Sequence, residues 1–72
     1  MMQEIEFVRT FSMWTRNSTG KKKLMWFSKG DILKCRIEEL PPNPNFKTHK
    51  ITTPHGYSAK IGKSQLSFMK LP

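Results

Sequence analysis

Four cations lie on one short stretch of this chain, between two tryptophans. Arg16, Lys21, Lys22 and Lys23 occupy a segment of turn formers, Thr15-Arg16-Asn17-Ser18-Thr19-Gly20, and the residues just after it. Trp14 and Trp26 stand near its two ends. Lysines at such a tip can meet phosphates as flexible point charges. An indole face can stack on an unpaired base, worth ~1–3 kcal/mol per base. A second basic set is Lys47, His49, Lys50, Lys60 and Lys63. A plainer reading stands beside this one. Lysines at a hairpin tip are often only a solvated turn. Each tryptophan buries ~150–250 Å² when packed, so Trp14 and Trp26 are also suited to plugging the ends of a small core. The total charge weighs on the side of a ligand. Thirteen Lys and Arg against five Asp and Glu leave +8, an excess that points to an anionic partner.

Covalent and metal chemistry have much less to build on. Cys35 is the one cysteine, so an internal disulfide is impossible. It alternates with charged residues in Asp31-Ile32-Leu33-Lys34-Cys35-Arg36-Ile37 and reads as a small buried hydrophobe. A thiolate nucleophile needs a paired base, and neither His49 nor His55 has a meaningful spacing to it. A zinc site normally takes four Cys, His or carboxylate ligands, and one Cys with two His does not resemble one. The acids Asp31, Glu38 and Glu39 show no nucleophile-base partner. The expectation is therefore a protein that is not an enzyme and holds no metal or cofactor. Asn17-Ser18-Thr19 matches a glycosylation acceptor, but without an export signal it reads as a polar loop tip.

Size sets the scale of what can hold these residues in place. A chain of 72 residues buries only ~60% of its unfolded surface, so the core is thin. We expect one domain over residues 1–72. No apolar run approaches the ~18 residues that span a bilayer. With no signal peptide and no disulfide, the expected place is the cytoplasm, a host's cytoplasm if the protein is viral.

The pattern along the chain is one of strands and turns. Glu4 to Trp14 alternates, with Ile5, Phe7, Phe11 and Met13 on one face. Leu24 to Phe27 makes a second strand, closed by the turn Ser28-Lys29-Gly30-Asp31. Ile32 to Leu40 alternates again, with Leu33, Cys35 and Ile37 together. Three prolines in Pro41-Pro42-Asn43-Pro44 force a loop. Phe46 to Thr53 forms a fourth strand, Tyr57 to Ile61 a fifth, and Ser67 to Leu71 a short last one. Gly62 to Gln65 forms a single 3-10 turn. Phe7, Phe27, Phe46 and Phe68 are the expected aromatic core. No apolar stripe of helical period appears. Short strands with frequent turn signals predict a small antiparallel barrel of five to six strands.

The order of these pieces resembles the Src-homology-3-like small barrel. Leu24-Met25-Trp26-Phe27-Ser28-Lys29-Gly30-Asp31-Ile32-Leu33 is similar to that family's apolar strand, diverging turn and aliphatic pair. Gly56-Tyr57-Ser58-Ala59-Lys60-Ile61 and Lys63-Ser64-Gln65-Leu66 resemble its small-residue strand and the helical turn after it. The resemblance implies an all-β barrel. It does not bring polyproline recognition with it. Members with that activity use acids in the long first loop to attract a cationic peptide. The matching loop here, Thr15 to Lys23, has four cations and no acid. What the resemblance leaves is a scaffold of the kind used by nucleic-acid-binding relatives. The expected function is a small basic module that binds nucleic acid through its Lys/Arg face with aromatic support. The alternative is a protein-interaction module, such as a bacteriophage accessory protein, that docks on an acidic surface of a host or partner protein.

Overall fold

Two-residue alternation sets the strands, because it puts every second side chain on the same face of a sheet. The structure is a computed structural model that describes residues 2–71. Seven strands form in it: β1 (Gln3–Phe7), β2 (Phe11–Arg16), β3 (Lys22–Phe27), β4 (Ile32–Glu39), β5 (His49–Thr52), β6 (Ser58–Ile61) and β7 (Met69–Lys70). One helical turn, α1 (Lys63–Leu66), precedes the last strand. The strands make one antiparallel sheet in the order β3-β2-β6-β5-β4-β1-β7. Among the described residues no helix is long and apolar enough to cross a membrane.

The all-β expectation holds, with three corrections. The alternating run Glu4 to Trp14 is two strands, not one. Residues 8–10 break it, and the chain changes partners there. β1 pairs with β4 and β7, whereas β2 pairs with β3 and β6. That split is one source of the higher strand count. The turn near Gly62 is α-helical rather than 3-10. Leu66 N–H donates to the Gly62 carbonyl at 3.0 Å and Ser67 N–H to Lys63 at 3.1 Å, both four residues back. The third correction is Phe46, which is 86% exposed and outside any strand. Its loop is tied off by the Asn43 side chain before β5 begins, so its ring never reaches the interior.

The core sits inside the curl of the sheet. Ile5, Phe7, Phe27, Cys35, Ile51, Ile61 and Met69 are its buried members. No strand ladder joins β3 to β7 among the described residues, so backbone bonds do not close the barrel. Aromatic side chains bridge the opening. The rings of Phe7 on β1 and Phe27 on β3 stack at 4.6 Å and 23°. Phe11 lies 5.3 Å from Phe27 and 5.1 Å from Phe68. Strands first and sixth in the sheet order thus meet across the interior. The Lys29-Gly30-Asp31 turn fixes this approach. Gly30 adopts φ +94, which favours glycine. Its N–H donates to the Phe7 carbonyl at 2.7 Å, and Phe7 N–H donates to the Asp31 carbonyl at 2.9 Å. The Asp31 carboxylate accepts from Ser28 N–H at 3.0 Å, which gives this acid a structural task.

Phe27→Ala should cost ~3–5 kcal/mol, since it empties the centre of the aromatic bridge; a shift in the urea midpoint measures this. Burial pushes the Cys35 thiol above its ordinary value of 9.0. The folded chain then keeps that proton after the unfolded chain has lost it. Stability should accordingly fall as pH rises through 9, and Cys35→Ala should remove that part of the pH dependence.

Candidate functional site

The register of the β2–β3 hairpin decides which side chains share the outer face. Phe11, Met13 and Thr15 turn inward, and so do Met25 and Phe27. Strand geometry then sends Ser12, Trp14 and Arg16 outward from β2, and Lys22, Leu24 and Trp26 outward from β3. The direct pairs are Ser12 with Trp26, Trp14 with Leu24, and Arg16 with Lys22. Trp14 and Trp26 are diagonal neighbours, and both face solvent, 66% and 68% exposed. They do not plug the barrel ends. The phenylalanines already fill the interior, so the indoles are left on the surface beside Leu24.

The same face continues onto β6 and β5. Arg16 lies opposite Ser58, and Lys60 lies opposite Lys50. A shallow depression forms there, lined by Trp14, Arg16, Lys22, Lys50, Ser58 and Lys60. Two of the cross-strand pairs on this face, Arg16 with Lys22 and Lys50 with Lys60, are cation against cation. Like charges directly opposite each other destabilise a sheet. Strands β2, β3 and β6 contain no acid. The acids gather on the other half of the sheet. Glu38 is paired with Lys50 from β4, Glu4 with Lys34, and Glu6 with Lys70. Positive charge is therefore concentrated on one side of the molecule.

The ten residues read as contacts from sequence do not form one group. Trp14, Trp26, Arg16, Lys22, Lys50 and Lys60 come together on the outer face. Lys23 has the opposite strand parity from Lys22. Its ammonium sits 5.4 Å from the centre of the Tyr57 ring. Lys21 is in the turn before β3, where its N–H donates to the Asn17 carboxamide oxygen at 2.9 Å. That oxygen also accepts from Thr19 N–H at 3.0 Å, so Asn17 organises the tip. Lys47 and Lys63 line a separate depression with Phe46 and His49. Leu24 and Ser58 belong to the outer face and went unread in the sequence. Counting back by two from Phe27 and forward by two from Phe11 would have placed Leu24 and the two indoles outside. Among the described residues no three His, Cys, Asp or Glu gather as metal ligands.

Both indoles face water, and Trp14 lines the depression with Arg16, Lys22, Lys50 and Lys60, so iodide should quench the tryptophan emission more strongly than caesium at equal ionic strength. Local attraction of counter-ions by the face is the reason. Equal quenching would contradict the charge placement described. The chain matches no protein-family model, no curated protein and no solved structure.

Proposed function

We propose that the outer face of β3-β2-β6-β5 binds single-stranded nucleic acid. The observation that carries this reading is the joint display of two exposed indoles and two cation–cation pairs on one acid-poor face. The exposed indoles and the Arg16–Lys22 pair are unfavourable for the free protein, and Lys60 faces Lys50, which has Glu38 opposite it on its other side. Large apolar rings are left in water, and like charges are set side by side. A polyanion with unstacked bases relieves both at once. Phosphates neutralise Arg16, Lys22, Lys50 and Lys60. Bases cover Trp14 and Trp26, since every base has a π-face. A duplex offers its phosphates but keeps its bases stacked, which favours the single strand as the ligand. No base preference follows from such a mechanism, because stacking tolerates any sequence.

Docking on an acidic protein surface remains the competing reading, and Leu24 between the indoles is the feature that suits it. Salt alone does not separate the two, because both are electrostatic. Stacking does. A bound oligonucleotide should quench the tryptophan emission strongly, and a double Trp14→Ala, Trp26→Ala variant should lose most of its affinity with its fold intact. Exposed substitutions rarely move stability by more than ~0.5 kcal/mol.

Four cations on the face predict a slope of log K against log salt of about −3 for a single strand, at ~0.7 per neutralised phosphate. Lys22→Glu with Lys60→Glu should flatten that slope and weaken binding. No measurable binding of an oligonucleotide at 50 mM salt would refute the proposal.

A further inference from the structure

We propose that Phe46, flanked by Lys47 and Lys63, is a second stacking platform for the same single-stranded nucleic acid, held out of the core at the expense of backbone strain. This rests on the reading of the outer face as a nucleic-acid site.

Phe46 combines two features that each work against the free fold. Its φ is 57, the one positive value at a non-glycine position among the described residues. A bulky residue in that region is a steric outlier, and strain of this kind persists only where the surroundings impose it. Its ring is also the most exposed of the large apolar side chains described, at 86%. Burial therefore offers nothing in return for the strain. Asn43 imposes the conformation. Phe46 N–H donates to the Asn43 carbonyl at 3.2 Å, and Lys47 N–H donates to the Asn43 Oδ1 at 3.1 Å. Asn43 Nδ2 in turn donates to the Lys47 carbonyl at 2.7 Å and to the Pro41 carbonyl at 3.0 Å. The prolines limit how the loop can relax. The loop passes close to the start of α1, with the Phe46 carbonyl beside Gly62.

The surroundings point to the class of ligand. Phe46 lines its depression with Lys47, Lys63, His49 and Gln65, and Glu39 is the acid on the wall. An exposed ring among cations is the same chemistry as the outer face. The two places are also adjacent. Lys60 on β6 belongs to the outer face, and Lys63 at the start of α1 belongs to this one. Three residues span at most ~10 Å of backbone. A single strand leaving Lys60 over the end of β6 thus meets Lys63 and the Phe46 ring next.

The test uses the full chain with fluorescein-labelled oligothymidylates of two lengths, long and short. Phe46→Gly and Phe46→Asn remove the ring and replace it with residues that tolerate positive φ. Both variants should melt no lower than the parent. Both should bind the long oligomer about five-fold or more weakly, the loss of one stacked base. Binding of an oligomer short enough to occupy only the outer face should be unchanged. Parental affinity of both variants for the long oligomer would overturn the role of Phe46. If the Trp14→Ala, Trp26→Ala variant still lost affinity in that case, the outer-face reading would stand without it. A marked drop in melting temperature in both variants would also overturn the inference, because Phe46 would then be supporting the fold. No binding of either oligomer by the parent would remove both readings together.

Discussion

The stack of Phe7 on Phe27 is the contact on which the rest of this small protein depends. It joins strands at nearly opposite ends of the sheet order, where no backbone ladder does so. Filling that interior with phenylalanine has a consequence on the other side of each strand. The alternation is strict, so a neighbour of an inward ring must point out. Phe27 inward means Trp26 outward. Met13 and Thr15 inward mean Trp14 outward. The aromatic surface is thus the complement of the aromatic core, produced by the same strands and the same periodicity.

Charge follows a similar logic. Hairpin register, not proximity in sequence, decides which cations cooperate. Lys22 and Lys23 are neighbours in the chain but point to opposite sides of β3. Lys22 joins Arg16, Lys50 and Lys60, while Lys23 lies over Tyr57. The resulting face is unfavourable in the free molecule, because like charges sit opposite each other on paired strands. Phe46 shows the same character in the backbone. Features that cost stability and bring no internal contact are what the proposed ligand surface rests on. A core this thin leaves little excess stability to offset them.

The sequence was informative where the physics was local. Turn residues at Ser28 to Asp31 and at Pro41 to Pro44 punctuated the chain correctly, since φ requirements and missing donors act within a few residues. Cys35 was legible as a buried hydrophobe from its alternation alone, and it is fully buried. Reading Glu4 to Trp14 as one strand failed for a different reason. Apolar residues resume at Phe11 on the parity of Ile5 and Phe7, so the run looks continuous, but Arg9 interrupts that face and the chain changes partner strands there. Residue type alone places Phe46 in the core, but it carries no information about the Asn43 bonds that turn its ring to solvent.

Composition and alternation by themselves determined an all-strand, cation-rich chain with one buried thiol, because these depend on residue type and on a period of two. They also supplied the cations and indoles of the outer face, though not Leu24 and Ser58. Tertiary structure alone decided how those residues divide. It grouped Lys50 and Lys60 with Arg16, Lys22 and the indoles, and set Lys47, Lys63 and Phe46 apart. Such grouping depends on which strands pair and in what register, and those pairings join residues as far apart as Arg16 and Ser58. A contact over that separation leaves no mark in local sequence, since it is fixed by how the whole sheet packs on its core.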